Sequence, residues 1–149
     1  MHIYDKDGNL IAISNPLDKR IFDNMIIRNA LMVGLELEGI SFDGSDLSDS
    51  DFSDSDLYGS YLSDTNFESC KFTNADLRSS YIFRVSFRNA DLRGARLSLD
   101  EMGGPICLNA VDFSGADLHG ADFTGAVYDA ETIFPKGFNP DERGMKPNV

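Results

Sequence analysis

Several residue types are scarce in this chain, and each scarcity narrows what the protein can be. The 149 residues contain no tryptophan, five prolines and two cysteines, Cys70 and Cys107. Two cysteines cannot build a disulfide framework, and neither stands in a metal or redox motif. No apolar run approaches the length of a membrane span, and the N-terminal residues include charged side chains instead of a signal segment. We therefore expect a cytoplasmic protein.

Basic residues are also scarce. Thirteen Lys and Arg face 25 Asp and Glu, which gives a net charge of −12. This balance disfavours direct binding to nucleic acid or to anionic lipid, and it permits either a cationic protein partner or a soluble molecule that repels its own copies. Hydrophobic residues make up 42% of the chain, with 11 Phe, so a packed core in a single domain is expected.

A five-residue period organises most of the sequence. Large apolar residues occupy every fifth position sixteen times in succession, beginning at Phe22. Such regularity decides the architecture before any strand is assigned. These repeat centres are Phe22, Ile27, Met32, Leu37, Phe42, Leu47, Phe52, Leu57, Leu62, Phe67, Phe72, Leu77, Ile82, Phe87, Leu92 and Leu97.

The residues around each centre also follow a rule. The minus-two position is small, as in Ser50 and Ala75, the minus-one position is polar and often Asp, and the plus-two position is often Gly or Asn. In an extended chain alternate side chains share a side, so the centre and the minus-two residue face inward while the minus-one residue faces water. Gly and Asn tolerate the backbone angles of the bend that must follow. The pattern predicts an all-β solenoid with a filled interior.

The stretches NADLR, NADLRGARL and SGADLHGADFTGA follow the motif A(D/N)LXX. They closely resemble the pentapeptide-repeat family, over residues 20–99 and 106–130. The resemblance implies a right-handed quadrilateral β-helix with four repeats in each coil. It also implies a non-enzymatic protein, since relatives act as inhibitors and regulators by contact and some bind topoisomerases. The number of repeats predicts about five coils.

The register breaks after Leu97. The next centre is Leu108, a step of eleven, which we interpret as two repeats plus one residue. Gly103, Gly104 and Pro105 indicate a loop over residues 98–105, and we expect the fold to tolerate its removal. The single domain then divides into an N-terminal cap (1–19), a first repeat block (20–99), a loop (100–105), a second repeat block (106–130) and a C-terminal cap (131–149).

Both ends of the solenoid need caps, because an open end exposes core and strand edges. Apolar residues alternate around Asp7 and Gly8, which predicts a hairpin, and Asn15–Pro16 predicts a turn after it. At the other end Phe134 and Phe138 could plug the last coil. The early minus-two residues Met25, Leu35 and Ile40 are large, so we expect the first coil to be wider or to be closed by the hairpin.

No residue set points to catalysis. General acid–base chemistry needs converging groups in a cleft, and a filled solenoid offers none. His2 and His119 have no catalytic companion in the sequence. The acids between Asp46 and Asp56 are distributed over different parts of one coil, so they are not expected to share a metal ion. We predict no enzyme activity, no cofactor and no metal.

Aromatic residues outside the core are the candidate functional feature. Two tyrosines occupy outward positions one coil apart, a phenylalanine follows on the same face, and a third tyrosine lies across the adjoining corner. Two arginines flank this set of aromatic residues. Stacking between coils explains such residues structurally, and a partner-binding hot spot explains them functionally. The candidate partner-binding residues are Tyr58, Tyr61, Tyr81, Phe83, Arg84 and Arg78.

Three functions remain open at this level. The preferred one is a protein-binding scaffold or regulator that uses this face or the loop, and it includes an immunity protein that neutralises a cationic toxin. The second is a mimic of duplex DNA that contacts a type II topoisomerase. A basic segment at residues 71–96, with six bases and two acids, counts against mimicry. The third is an assembly module that forms a homodimer through an end cap.

Overall fold

The backbone winds in coils of twenty residues. The computed structural model describes residues 1–13 and 20–148. Parallel bridges join residues twenty apart, as from Ser41 to Tyr61 and from Tyr61 to Tyr81. Twenty residues equal four repeats, so residues at the same position in successive coils stack in columns. The protein is a β-helix, and the described ranges contain one short 3-10 helix and no α-helix.

Most of the ladder consists of single bridges between coils, and a few pairs are long enough to count as strands. Strands β1 and β2 form an antiparallel hairpin, β3 pairs in parallel with β4, and β5 pairs in parallel with β6. The elements are β1 (His2–Tyr4), β2 (Leu10–Ile13), β3 (Ile82–Phe83), β4 (Leu108–Asn109), β5 (Val127–Tyr128), the 3-10 helix (Asp141–Arg143) and β6 (Lys146–Pro147).

Backbone hydrogen bonds explain why the repeat stacks. The Phe42 amide donates to the Tyr61 carbonyl (2.9 Å), and the Tyr61 amide donates back to the Ile40 carbonyl (2.9 Å). The Gly44 amide bonds to the next coil as well, while the Ser45 amide closes the turn onto the Phe42 carbonyl (3.0 Å). Four of five amides in the repeat are thereby satisfied, as a closely packed solenoid requires.

The bend lies at the plus-two position, which adopts a left-handed backbone. Gly44 has φ of 69° and Asn24 has 56°, as the Gly and Asn preference predicts. Residues with no such preference adopt the same conformation, including Ser69 (60°) and Arg84 (53°). The ladder holds them there, since the Arg84 amide donates to the Asn109 carbonyl (3.1 Å) in the next coil. Tertiary hydrogen bonds thus override local preference.

The predicted interior is confirmed. All sixteen centres from Phe22 to Leu97 are buried, with Ile82 the most exposed of them at 3%. Phenylalanine rings stack along the columns, as in Phe52 on Phe72 with centroids 5.0 Å apart. Minus-two residues complete the packing. Cys70 is one of them, and burial raises the pKa of its thiol, which suits an inert packing residue.

The register break differs from the interpretation given above. Ile82 pairs with Leu108, so the column spacing grows from 20 to 26 residues at this point. The step from Leu97 to Leu108 is therefore one repeat plus six extra residues, and the interpretation as two repeats plus one residue was wrong. The ladder requires each centre to lie above another centre, so the extra residues leave the coil. They turn back where Asp100 and Gly104 exchange backbone hydrogen bonds of 3.1 and 2.8 Å.

The N-terminal cap is the predicted hairpin. It joins the first coil where Asp5 bridges Ala30 and the Leu31 amide donates to the Tyr4 carbonyl (2.9 Å). The large minus-two residues differ in outcome, because Ile40 is buried, Met25 is half-buried, and Leu35 stays 39% exposed. The Asn15–Pro16 turn lies outside the described residues.

At the C-terminal end the predicted aromatic plug is present. The rings of Phe134 and Phe138 stack on each other with centroids 5.0 Å apart. Phe134 covers Phe113 at 6.0 Å, and Phe138 covers Phe123 at 5.7 Å. Two further parts of this cap were not predicted. Met145 is buried, and the Arg143 guanidinium donates to carbonyl oxygens of the last coil.

Candidate functional site

One outward column of the β-helix differs from the other three. The minus-one residues of successive coils form four outward columns. In the second coil, three of these columns have an aspartate, namely Asp46, Asp51 and Asp56. The fourth column has Ser41 there, followed in later coils by uncharged side chains. Its successive members are Ile21, Ser41, Tyr61, Tyr81, Cys107 and Val127, and Lys146 of the C-terminal cap pairs with Val127. We call the exposed side chains of Tyr61, Tyr81 and Phe83 the aromatic face.

The aromatic face is a stacked pair with a third ring beside it. The Tyr61 and Tyr81 rings lie 4.8 Å apart at an interplanar angle of 7°. They remain 45% and 59% exposed, and Phe83 is 45% exposed. Stacking therefore contributes to coil packing and still leaves about half of each side chain available. A contiguous set of half-exposed rings is typical of an interaction surface.

Arg84 borders this face. Its guanidinium carbon lies 4.8 Å from the Phe83 ring centroid, and its nitrogens hydrogen-bond both oxygens of Asp64 at 2.7 and 2.9 Å. The guanidinium lowers the pKa of the Asp64 carboxyl. The structure thus brings together four of the sequence-predicted residues, which are Tyr61, Tyr81, Phe83 and Arg84.

The other two predicted residues, Tyr58 and Arg78, form their contacts in the adjoining column and not on the aromatic face. The Tyr58 hydroxyl donates to the Asp100 carboxylate, and the Ser79 hydroxyl donates to the same oxygen at 3.2 Å. The Tyr58 hydroxyl lowers the pKa of Asp100. Arg78 lies 6.0 Å from the Tyr58 ring centroid and forms an ion pair with Asp76. Tyr58 therefore supports the position of the loop from the adjoining column, whereas Arg78 is held by Asp76.

A groove of about 270 Å³ connects the aromatic face with the loop. Its lining combines aromatic and apolar side chains with hydroxyl groups, a thiol and an amide. The lining residues are Ser63, Ser79, Ser80, Tyr81, Ile82, Phe83, Gly103, Pro105, Cys107 and Asn109. The two partner-binding regions expected from the sequence, the face and the loop, are walls of one concave surface. An apolar concavity with a few polar groups suits recognition of a protruding side chain.

Asn109 supplies an unusual polar group in this groove. Among the residues that the structure describes, its side-chain oxygen is the one buried side-chain nitrogen or oxygen without a hydrogen-bond partner. A buried acceptor without a partner costs about 1 to 3 kcal/mol.

A group of acidic residues lies on the N-terminal side of the aromatic face. Partial burial raises the pKa of Asp43, and the neighbouring carboxylates Asp23 and Asp64 raise it further. The Ser63 amide donates to Asp43 at 2.7 Å and holds the carboxylate in place. A partner with positive charge near these acids would relieve their mutual repulsion.

The basic segment of residues 71–96 is largely neutralised within the fold. Most of its bases pair with acids of the same coil or of the coil twenty residues earlier, because the column spacing brings the two segments into contact, and Arg93 also contacts Asp117 of the following coil at 3.9 Å. The pairs are Lys71–Asp51, Arg78–Asp76, Arg84–Asp64, Arg93–Asp91 and Arg96–Asp76. Exposed ion pairs contribute little to stability. Each pair nevertheless cancels the charge of one base and one acid on the surface.

Other candidate sites offer less. A groove of about 440 Å³ lies beside the C-terminal cap and is lined by residues that include His119, Lys136 and Phe138. His119 is exposed and contacts Asp117 at 2.6 Å. No group of three potential metal ligands converges within residues 1–13 and 20–148. Over the same ranges, no helix is long and apolar enough to cross a bilayer.

The sequence reasoning missed the contribution of Cys107 and Asn109. With a constant spacing of 20 residues, the position above Tyr81 would be Glu101. With the observed spacing of 26 it is Cys107, and Asn109 lies above Phe83. The signal was present in the sequence, because a step of eleven also equals one repeat of five plus an insertion of six.

The repeats match a known family model. A model described as pentapeptide repeats matches eight copies over residues 27–59, 60–98 and 107–127, more than half of the chain. The chain belongs to the pentapeptide-repeat family. A comparison with curated protein sequences gives no significant match.

Solved pentapeptide-repeat proteins share the fold. The alr5209 protein of Nostoc PCC 7120 is 21% identical with a TM-score of 0.56, and the match covers 87% of this chain and 85% of that one. HetL, also from Nostoc PCC 7120 and involved in heterocyst differentiation regulation, is 21% identical with a TM-score of 0.53. That match covers 78% of this chain and 51% of HetL, so this chain spans about half of HetL. At such identity the similarity shows the fold alone.

Proposed function

We propose that this pentapeptide-repeat protein is a non-enzymatic scaffold or regulator that binds another protein through the aromatic face and the adjoining groove. The observation that carries the proposal is the contrast between columns. In the second coil the other three columns have aspartates, whereas this column has Ser41. In later coils it continues with Tyr61, Tyr81 and Cys107, and it borders a groove of about 270 Å³.

The composition of the surface favours a protein partner. Tyrosine and arginine are enriched where binding energy concentrates, because they combine apolar area with hydrogen-bonding groups. Tyr61 and Tyr81 hold each other in a stack, so less conformational entropy is lost when a partner orders them. The acids Asp23 and Asp43 beside the face favour a partner that presents basic side chains.

Mimicry of duplex DNA has less support. A mimic presents anionic groups continuously along its length. Here five bases of residues 71–96 neutralise acids on their own or neighbouring coils, and the most distinctive column is uncharged from Ile21 to Val127. Inhibition of gyrase supercoiling by this protein at micromolar concentration would favour mimicry over the present proposal.

The test is affinity capture from a cell lysate with the double variant Tyr61→Ala/Tyr81→Ala. We expect the natural protein to retain a discrete partner and the double variant to lose most of it, because each tyrosine at a hot spot contributes about 2 kcal/mol or more. Circular dichroism and melting should show that the variant keeps its fold, since both residues are outward.

The matched control is Ile133→Ala, which removes another large side chain that is 50% exposed, but from a different column. It should retain the partner. Equal capture by the natural protein and by the folded double variant would refute the aromatic face as the binding surface.

A further inference from the structure

The C-terminal cap closes three of the four outward columns of the β-helix and leaves one open. The closing backbone contacts are Val127 with Lys146, Asp112 with Ile133, and Gly125 with Gly144. The remaining column consists of Leu31, Asp51, Lys71, Asp91 and Asp117. Within residues 1–13 and 20–148, no bridge continues this column past Asp117. We call residues 116–120, which surround Asp117 in the last coil, the open edge.

Three backbone groups of the open edge lack a partner. In the coil below, the Leu92 amide donates to the Asp117 carbonyl and the Asp117 amide donates to the Ala90 carbonyl, both at 2.9 Å. The equivalent groups of the last coil, together with the amide at the next bend, are the Leu118 amide, the Ala116 carbonyl and the Gly120 amide. In the part of the chain that the structure describes, none of the three forms a hydrogen bond. They are the groups with which a further parallel strand would pair.

The open edge forms one wall of the groove beside the C-terminal cap. The opposite wall consists of residues 135–139 together with Glu142 and Arg143, and the volume between the walls is about 440 Å³. Leu118 is 5% exposed, whereas Leu92, at the same position one coil earlier, is fully buried. Solvent therefore reaches an inward side chain through this groove. The volume lies within the range of about 300 to 1,000 Å³ that is typical of ligand sites.

Arg143 fixes the cap beside the open edge. Its guanidinium donates to the Leu118 carbonyl (3.1 Å) and to the Ala121 carbonyl (2.8 Å). The Leu118 carbonyl also accepts from the Ala121 amide at 3.2 Å. An antiparallel strand would need both the amide and the carbonyl of one residue such as Leu118. Because that carbonyl is occupied, the free amide of Leu118 and the free carbonyl of Ala116 fit a parallel strand, as between earlier coils.

We propose that the open edge binds an extended segment of a partner protein, which adds one parallel strand to the β-helix and places a basic residue over Asp117. In such strand addition, main-chain hydrogen bonds supply affinity and alternate side chains supply specificity. The residue over Asp117 donates its amide to the Ala116 carbonyl and accepts from the Leu118 amide. The next residue of the segment points inward onto Leu118 and is apolar.

The column itself favours a base at the position over Asp117. Asp91 and Asp117 follow one another in this column, and Arg93 lies closer to Asp91 (2.6 Å) than to Asp117 (3.9 Å). The Asp117 side chain is 45% exposed, and its other charged neighbour, His119, is also exposed. A basic side chain over Asp117 would separate the carboxylate from solvent and pair with it, as Lys71 does with the preceding acid of the column.

The remaining charges around the groove do not reverse this preference. Asp117 and Glu142 balance Lys136 and Arg143, so the groove has little net charge of its own. The net charge of −12 on the whole chain then attracts a basic segment more strongly than an acidic one. The open edge shares no residue with the aromatic face or its groove, so the inference is independent of the proposed function.

The test is a nuclear magnetic resonance titration of the isotope-labelled full chain with the peptide acetyl-Ala-Lys-Leu-Thr-Gly-amide. We expect the amide resonances of Leu118 and Gly120 to shift, because both gain acceptors, while those of Tyr61 and Tyr81 stay in place. The same peptide with an N-methyl group on its lysine cannot donate to the Ala116 carbonyl, and it should bind about tenfold more weakly. A peptide with glutamate in place of lysine should bind about threefold or more weakly.

Protein variants locate the site. Ala116→Leu should abolish peptide binding, because Ala116 lines the groove and a longer side chain would extend into it. Asp117→Asn should remove the preference for the lysine peptide over the glutamate peptide. Its matched control is Asp112→Asn, since Asp112 is also a minus-one aspartate of the last coil but is covered by Ile133. That control should keep the preference.

The peptide comparisons use the natural protein, so they decide the proposal whatever the variants do to folding. Unchanged resonances of Leu118 and Gly120, or equal binding of the N-methylated peptide, would overturn strand addition. Equal binding of the lysine and glutamate peptides would overturn the basic occupant. A dimer in sedimentation velocity that Ala116→Leu abolishes would show that a second copy of this chain occupies the groove, and it would also overturn the proposal.

Discussion

The Phe72→Asp variant is expected to be unfolded at room temperature. Phe72 is fully buried and packs against Phe52, Phe67 and Phe87 with centroid distances of 5.0 to 5.4 Å. Loss of a buried phenylalanine costs about 3 to 5 kcal/mol. An unpaired carboxylate at the same position adds several more. The sum approaches or exceeds the total stability of a typical domain, about 5 to 15 kcal/mol.

Far-ultraviolet circular dichroism and urea unfolding measure this effect. The control is Phe83→Asp, because Phe83 is also a phenylalanine of the repeat region and is 45% exposed. We expect the control to keep the β-helix spectrum and to lose little stability. If Phe72→Asp melted as the natural protein does, the stacked aromatic interior described above would be incorrect.

The Ala75→Leu variant is expected to lose about 1 to 3 kcal/mol of unfolding free energy, since overpacking a filled core forces neighbouring side chains and backbone to shift. Ala75 is fully buried between Ser55 and Ala95 of the adjoining coils. Successive coils are held about 4.8 Å apart by the backbone ladder. The three extra carbon atoms therefore have no direction in which to expand.

Ser86→Leu serves as the control, because it also replaces a small residue by Leu but at an outward, partly exposed position. We expect its midpoint in urea to stay close to that of the natural protein. Equal destabilisation by the two substitutions would mean that the minus-two position is not constrained by the neighbouring coils. The tolerance of Leu35 in the same column is explained by its place in the end coil.

The period alone was sufficient to predict the interior. Each centre from Phe22 to Leu97 is buried, because a constant step of five residues leaves the ladder one register to adopt. The hairpin and the aromatic plug were also predicted, since both depend on local patterns of apolar residues. Both features are determined by residues that lie close together in the sequence.

Features that depend on contacts between coils were harder to predict. The left-handed conformation of Ser69 and Arg84 follows from the ladder and has no local signal. The same holds for Met145 and Arg143, whose roles in the C-terminal cap depend on where the chain crosses the last coil. The length of the insertion was misjudged because a step of eleven fits two arithmetical divisions, and only the pairing of Ile82 with Leu108 decides between them.

Only part of the candidate site could be predicted, because some of its residues are brought together by contacts between coils that the period does not reveal. Tyr61 and Tyr81 are separated by a whole coil of twenty residues, so their stacking could be inferred from the period. Cys107 joins the same surface because the insertion is six residues long, and the sequence interpretation had misjudged that length. Tyr58 and Arg78 were grouped with the face by proximity in the coil, whereas their hydrogen bonds and ion pairs connect them to Asp100 and Asp76.

Site-specific photo-crosslinking tests most directly whether one column carries the interaction. A photoreactive phenylalanine analogue is placed at position 81 on the aromatic face, or at position 71, which has the same place in its repeat two repeats earlier in the coil. After irradiation in lysate, the account predicts a discrete protein adduct from position 81 and none from position 71. Adducts of the same protein from both positions, or from position 71 alone, would contradict it.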